Sequence, residues 1–138
     1  MRYWDSSALV PLCLEQPQTE RARAFFDEDP ELVVWWGSPV ECASAFARLR
    51  RDGILSAEDE EVALSVLAGL RDAWYEIQPG DGLREQALRL LRLHPLRAAD
   101  ALQLAAGLEW AGVPARGEFL TFDERLKAAA RREGLSVV

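Results

Sequence analysis

Short β-forming runs alternate with helix-forming stretches along the whole chain, and this alternation constrains the fold more than any other feature. The runs at 2–4, 32–36, 74–77 and 118–122 are predicted strands, and 135–138 is a candidate fifth. A helical stretch separates each run from the next, which is typical of parallel strands joined by crossover helices. The pattern predicts an α/β fold: a three-layer α/β/α sandwich with a central, mostly parallel sheet of four or five strands.

Hydroxyl residues mark several of the predicted helix starts. Ser6 and Ser7 are expected to cap a helix that begins near Ala8, and Ser38 is expected to cap a helix with Pro39 at its first position. Apolar residues recur at helical spacing after these starts, and we assign Val62, Val66 and Leu70, among others, to the core.

Length and composition indicate one globular domain over residues 1–138. The chain has 138 residues, 49% of them hydrophobic, and its longest apolar runs are too short to cross a bilayer. No signal peptide is recognisable at the N-terminus, so we expect a cytoplasmic protein with no membrane partner. The formal charge of −7 argues against general affinity for nucleic acid, so any nucleic acid would be bound through cations and local arginines.

Four acidic residues fall at predicted strand ends or helix starts: Asp5, Glu41, Asp100 and Asp123. The carboxyl ends of parallel strands share one edge of the sheet, which is where ligands bind in such folds. Clustered carboxylates repel one another, and a cation relieves that repulsion. Oxygen-only ligands favour Mg²⁺ or Mn²⁺, so these four residues are the candidate metal ligands and catalytic residues.

Each acid also has a simpler interpretation when it is taken alone. Asp5 and Asp123 have the residue type of helix caps or turns, and Glu41 and Asp100 lie in first helical turns, where the helix dipole favours a carboxylate. The combination favours the metal site. A pair of such ions can activate water and stabilise the leaving oxygen, which is the chemistry of phosphodiester hydrolysis.

The acidic residues lie in motifs that, taken together and in order, resemble those of PIN domains, and most closely the single-domain PIN toxins called VapC. The motifs are Tyr3-Trp4-Asp5-Ser6-Ser7, Pro39-Val40-Glu41, Arg97-Ala98-Ala99-Asp100-Ala101-Leu102 and Leu120-Thr121-Phe122-Asp123.

The resemblance implies an Mg²⁺- or Mn²⁺-dependent endoribonuclease whose metal ligands match Asp5, Glu41, Asp100 and Asp123. It also implies supporting hydroxyls at Ser6 or Ser7 and at Thr121. The expected partners are an RNA substrate, a VapB-type antitoxin that blocks the acidic pocket, and a second copy of the chain in a homodimer.

Arg97 precedes Asp100 by about one helical turn. This spacing suits two roles: contact with an RNA phosphate or another carboxylate, or a plain ion pair with Asp100. Both interpretations remain open from the sequence.

Two other functions are compatible with the same architecture. In the first, Asp5 is a phospho-acceptor, as in aspartyl phosphatases or receiver domains. That chemistry normally needs a nearby lysine, and the only lysine is Lys127, in the last predicted helix. In the second, the domain is catalytically silent and only binds a partner, although an inactive domain is expected to have a broken acidic set.

Overall fold

The computed structural model describes all residues, 1–138, and contains five strands and seven helices. The strands are β1 (Arg2–Trp4), β2 (Leu32–Trp35), β3 (Tyr75–Ile77), β4 (Glu118–Leu120) and β5 (Ser136–Val137). The helices are α1 (Ser6–Cys13), α2 (Thr19–Glu28), α3 (Ser38–Arg51), α4 (Ala57–Arg71), α5 (Asp81–Leu93), α6 (Ala98–Ala111) and α7 (Glu124–Arg132). None of these helices combines the length and the apolar composition that a membrane-spanning segment needs.

The five strands form one sheet in the order β3-β2-β1-β4-β5, and every neighbouring pair is parallel. All carboxyl ends of the strands therefore lie along the same edge of the sheet. The predicted α/β sandwich with a parallel central sheet is confirmed, and the candidate fifth strand is present.

Hydrophobic cores cover both faces of the sheet, as expected for parallel strands. In β1, Tyr3 belongs to one core and Trp4 to the other, because successive side chains of a strand point to opposite faces. The Tyr3 core contains residues of α5, α6 and α7, whereas the Trp4 core contains residues of α1, α2, α3 and α4. The sheet is thus the middle layer between two helical layers.

Two predicted helix caps are wrong. Asp5, not Ser6 or Ser7, caps α1, because its carboxylate accepts a hydrogen bond from the backbone N–H of Ser7 at 3.2 Å. The cap residue of α3 is Gly37, and Ser38 lies inside the helix without a capping bond. The hydroxyls of Ser6 and Ser7 instead donate to the carboxylates of Glu41 and Asp5.

Two residues assigned to the core are largely exposed in the structure. Val62 is 62% exposed and Val66 is 38% exposed, whereas Ala63 and Leu67 of the same helix are buried. The apolar residues of α4 occupy more of its circumference than the neighbouring helices α1 and α3 cover. Helical periodicity identified the helix, and Leu70 packs against the core as assigned, but the assignment of Val62 and Val66 is wrong.

Candidate functional site

A cleft of about 740 Å³ opens at the carboxyl edge of the sheet, and all four candidate acids line it. Asp5 follows β1, Asp123 lies between β4 and α7, and Glu41 and Asp100 belong to the first turns of α3 and α6. The topology therefore brings together residues that are up to 118 positions apart, from Asp5 to Asp123. Ser6 and Ser7 lie in the same lining.

Asp5 is the most buried of the four acids, at 3% exposure. Its Oδ2 atom accepts hydrogen bonds from the Ser7 hydroxyl at 2.5 Å, the Thr121 hydroxyl at 2.9 Å and the Ser7 backbone N–H at 3.2 Å. Burial raises the pKa of Asp5, and these hydrogen bonds oppose the rise because they favour the ionised form. Asp5 is thus held rigidly through one oxygen.

Glu41 is held in the same way by residues of α1 and α6. Its Oε2 atom accepts hydrogen bonds from the Ser6 hydroxyl at 2.8 Å and from the side-chain amide of Gln103 at 3.2 Å. The pKa of Glu41 is raised to about 7. Burial is the main cause and repulsion from Asp5 and Asp100 adds to it, whereas the hydrogen bonds from Ser6 and Gln103 lower the pKa. In the metal-free protein this carboxyl is therefore only partly ionised at neutral pH.

Asp100 and Asp123 serve as helix-capping residues as well as lining the cleft. Asp100 Oδ2 accepts a hydrogen bond from the backbone N–H of Arg97 at 3.3 Å. Asp123 Oδ1 accepts one from the backbone N–H of Leu126 at 2.9 Å. The capping interpretation of Asp123 is therefore correct, and Asp100 makes a capping bond in addition to lying in a first helical turn. Each of these bonds uses only one oxygen of the carboxylate.

Each of the four carboxylates keeps one oxygen with no close hydrogen bond. These are Oδ1 of Asp5, whose nearest donor is Ser6 Oγ at 3.5 Å, Oε1 of Glu41, Oδ1 of Asp100 and Oδ2 of Asp123. None of the four forms a salt bridge. Unpaired carboxylate oxygens facing one cleft are the donors that Mg²⁺ and Mn²⁺ prefer, so the residues fit such an ion.

The four carboxylates do not form a compact ligand cage. The structure contains no group of three or more acidic, histidine or cysteine side chains spaced to hold one metal ion. Magnesium usually keeps several waters and binds through one or two carboxylates plus substrate phosphate, so it does not need such a group. The direct participation of all four acids stays a prediction.

The supporting hydroxyls form a connected network between α1 and the end of β4. Thr121 Oγ1 lies 3.2 Å from Ser7 Oγ and accepts a hydrogen bond from the backbone N–H of Asp123 at 3.1 Å. Ser7 Oγ accepts one from the backbone N–H of Phe122 at 2.9 Å. Ser7 and Thr121 thereby connect the Asp5 carboxylate to the segment that carries Asp123.

Arg97 is exposed and forms no ion pair with Asp100. The ion-pair interpretation is therefore wrong: the contact between the two residues runs through the backbone N–H of Arg97 alone. Its role toward an RNA phosphate stays a prediction. Arg48, on α3, lines the cleft and also lacks a carboxylate partner.

The phospho-acceptor interpretation of Asp5 lacks its cation. Lys127 is buried on α7, where its Nζ atom pairs with Glu124 at 3.3 Å, and it does not line the cleft. Aspartyl phosphatases also use a second aspartate two residues after the first, and that position is Ser7 here, whose hydroxyl donates a hydrogen bond to the Asp5 carboxylate. No lysine is therefore placed to stabilise a phosphoryl group at Asp5.

Gln103 is the contact residue that the sequence did not reveal. It lies one turn after Asp100 on α6, is fully buried, and donates to Glu41. The only available signal was the spacing of three from Asp100, which places both residues on one face of a helix. That signal is weak, because a buried glutamine is recognised only after its partners are known.

Comparison with solved structures shows the same fold in bacterial and archaeal proteins. VapC20 of Mycobacterium tuberculosis, described as a Sarcin-Ricin loop cleaving toxin, matches with a TM-score of 0.70 at 17% identity, over 94% of this chain and 95% of that one. PAE2754 of Pyrobaculum aerophilum matches with a TM-score of 0.69 at 21% identity, over 100% and 90%. A toxin-antitoxin complex from Klebsiella pneumoniae matches with a TM-score of 0.62 at 17% identity, over 100% and 96%.

At these identities the structural matches establish the fold alone, and no curated protein matches the sequence significantly. The family follows from the sequence itself, because the profile of the PIN domain matches residues 2–132, nearly the whole chain. This match, together with the parallel sheet and the acidic cleft at its carboxyl edge, confirms the predicted resemblance, and the chain belongs to the PIN domain family.

Proposed function

We propose that the protein is an Mg²⁺- or Mn²⁺-dependent endoribonuclease and the VapC-type toxin of a toxin–antitoxin pair. One observation carries the proposal: four carboxylates line a single cleft, none is neutralised by a salt bridge, and each leaves an oxygen available. Asp5, Glu41, Asp100 and Asp123 would hold the metal. When bound, the metal would supply an activated water and neutralise charge on the scissile phosphate.

The protein's own contribution is to fix these ligands and to orient the RNA. Three donors hold Asp5 and two hold Glu41, so neither carboxylate has to be immobilised when metal and substrate bind. Rigid ligands of this kind reduce the ordering cost of assembling the site.

Arginines near the cleft support a polyanionic substrate. Arg48 lines the cleft and Arg97 caps the helix of Asp100; both lack carboxylate partners in a chain with surplus acid. Arg21 lies over the ring of Phe122, another lining residue, at 5.3 Å. Stacked arginine and aromatic groups are typical contacts of unpaired RNA bases. The description of VapC20 as a toxin that cleaves an RNA loop agrees with this substrate class.

The purified protein should cut a circular single-stranded RNA, which has no ends, when Mg²⁺ or Mn²⁺ is present. Cutting of a circle demonstrates an internal break, and gel electrophoresis separates the linear product from the circle. A DNA circle of the same sequence should be cut far more slowly if the 2′-hydroxyl contributes to recognition. The substrates should include structured loops of ribosomal RNA. Failure to cut any RNA at high enzyme concentration would reject the nuclease and leave the alternative of a silent partner-binding domain.

The proposed antitoxin has an apolar surface available to it. Val62 and Val66, four positions apart on one face of α4, are exposed, as is Ile54 of the preceding loop, and exposed apolar side chains of this kind suit an amphipathic segment of a partner. The solved toxin-antitoxin complex with the same fold supports a partner of this class.

The proposed antitoxin, which we expect a neighbouring gene to encode, should inhibit cleavage and raise the melting temperature of the chain at the same stoichiometry, because it binds only the folded state. Val62→Asp should weaken inhibition by roughly tenfold or more, since an unpaired polar group in an apolar contact costs about 1–3 kcal/mol and an unpaired charge costs more. Basal cleavage should be unaffected, because Val62 does not line the cleft. Inhibition that arises from RNA binding, with no complex on gel filtration, would reject the toxin assignment.

The homodimer and the cytoplasmic location also stay proposals. Helix α5 carries exposed apolar side chains that a second copy of the chain could cover: Leu88, Leu91 and Leu93. A cytoplasmic location follows from the proposed RNA substrate.

A further inference from the structure

We propose that Gln103 is a positioning residue for Glu41, oriented in turn by the buried hydroxyl of Tyr3. The inference rests on the proposed function, in which Glu41 is a metal ligand. It adds a residue that touches neither metal nor RNA but sets the direction of a group that does.

The contacts form a continuous buried chain across three elements. The Tyr3 hydroxyl of β1 donates to Gln103 Oε1 at 2.8 Å, and Gln103 Nε2 of α6 donates to Glu41 Oε2 at 3.2 Å and to Ser38 Oγ at 3.1 Å, both on α3. Tyr3, Gln103 and Ser38 are each 0% exposed. Water is therefore excluded from the Tyr3–Gln103 and Gln103–Ser38 bonds, whereas the bond to Glu41 lies at the edge of the cleft.

The Tyr3 hydroxyl determines which way the Gln103 amide faces. An ionised carboxylate can only accept hydrogen bonds, so Glu41 requires the NH₂ group of Gln103 and not its carbonyl oxygen. With the Tyr3 hydroxyl donating to Oε1, the NH₂ group faces Glu41 and Ser38. The opposite orientation would place the amide oxygen against a carboxylate oxygen, which is repulsive.

A purely structural role does not explain a glutamine at this position. Its neighbours on α6, Ala101, Leu104 and Ala105, are fully buried and apolar. Burying this amide and the Tyr3 hydroxyl there has a desolvation cost that their hydrogen bond only offsets, and leucine with phenylalanine in the two places would fill a similar volume without that cost. Of the hydrogen bonds that Gln103 makes, the one directed toward the cleft is accepted by Glu41.

The consequence for Glu41 is a restricted side chain with one accessible oxygen. Ser6 and Gln103 both donate to Oε2, from α1 and α6, while Oε1 has no protein partner. Holding one oxygen from two sides fixes the direction of the other. Partners that orient a metal ligand in this way typically contribute 10–100-fold in metal affinity or activity.

Gln103→Leu should weaken Mn²⁺ binding and lower kcat by about 10–100-fold each, with the KM for RNA unchanged. Calorimetric titration with Mn²⁺ in the absence of RNA measures the first effect without any reaction. Tyr3→Phe, which removes only the hydroxyl, should give a smaller loss in the same direction. Gln103→His, which keeps an N–H donor, should recover part of it. Gln86→Leu, the same change on α5 away from the cleft, is the control and should match wild type.

A double-mutant cycle separates positioning from folding. In a Glu41→Ala background, Gln103→Leu should cause no further loss of Mn²⁺ affinity or kcat, because the group it positions is gone. An equal loss in both backgrounds would overturn the inference. So would a Gln103→Leu variant that has a lower melting temperature but wild-type Mn²⁺ affinity and kcat once folded.

The hydrogen bond between Gln103 and Glu41 can also be detected without measuring cleavage. The side-chain amide signals of Gln103 in a ¹⁵N–¹H spectrum should move in Glu41→Ala and stay in place in Glu85→Gln, an exposed change on α5. Unmoved signals would overturn the inference even if the enzyme is active. If wild type neither binds Mn²⁺ nor cuts RNA, the proposed function fails and the positioning of a metal ligand by Gln103 fails with it, whereas moved amide signals would still demonstrate the contact.

Discussion

Asp5→Asn and Glu41→Gln should each lower kcat for RNA cleavage by roughly 10³-fold or more, and chelation of divalent metal should abolish cleavage. Both substitutions keep the shape of the side chain. In each, the amide oxygen can replace the carboxylate oxygen that accepts the existing hydrogen bonds, and the NH₂ group then occupies the place of the free oxygen. The expected loss therefore comes from the charge and the metal-binding atom. Single-turnover cleavage of labelled RNA at saturating enzyme measures it.

The double variant with both substitutions should lose little more than either single variant, because residues that hold one centre act as a unit. Asp100→Asn and Asp123→Asn should behave in the same way if those acids share the centre. Glu85→Gln, on the exposed surface of α5, should retain full activity. Losses of only about tenfold that multiply independently would argue against a shared metal centre, and cutting in EDTA at the rate seen with Mg²⁺ would exclude the mechanism.

The fold could be predicted from the sequence because each of its signals is local and repeated. The buried apolar run 32–35 and the helices between strands are predicted from neighbouring residues, and the parallel sheet follows from chain connectivity. The convergence of the four acids follows from the same topology, since parallel strands end at one edge. The sequence did not predict which of several neighbouring polar side chains would cap a helix. Asp5, Ser6 and Ser7 can all cap a helix, and only the positions of Glu41 and Thr121 determine which of them does.

The sequence also did not predict which side chains of different helices and strands would contact one another. Gln103 and Tyr3 are 100 positions apart, and their hydrogen bond exists only because α6 packs on the sheet next to β1. Likewise, the apolar side of α4 that faces the core depends on how the helix is rotated against α1 and α3. Sequence periodicity fixes which residues share a face, but the packing partner decides which face is buried.

Glu41→Gln should make the metal-free protein more stable than wild type at alkaline pH, and the difference should vanish in acid. The pKa of Glu41 is about 7 in the folded chain, raised chiefly by burial from an ordinary value of 4.5. Ionising this buried carboxyl therefore costs the folded state about 3 kcal/mol once the pH exceeds the folded pKa. Glutamine has the same shape and no charge, so the variant avoids this cost.

The sign of the pH dependence follows from proton binding. Between the unfolded and folded pKa values of Glu41, 4.5 and about 7, the folded chain holds a proton that the unfolded chain has released. The free energy of unfolding of wild type therefore falls as the pH rises through this window, relative to that of the variant. Denaturant unfolding in EDTA at about pH 4.5 and at about pH 8 measures the difference at both ends. Glu85→Gln is the matched control, because Glu85 is exposed and forms no salt bridge.

Metal should narrow the difference in stability between the two proteins at neutral to alkaline pH, and reverse it at high enough metal concentration. An ion that binds only the folded state stabilises it by RT ln(1 + [L]/Kd), which is about 2.7 kcal/mol at a hundred times Kd. Wild type should gain this amount as Mg²⁺ or Mn²⁺ is added, whereas Glu41→Gln, which lacks one metal-binding oxygen, should gain little. The two stability curves should therefore converge or cross with rising metal concentration. If the variant is instead less stable than wild type in EDTA at alkaline pH and gains as much from metal, then Glu41 serves the packing of α3 against α1 and α6, and its assignment as a metal ligand is wrong.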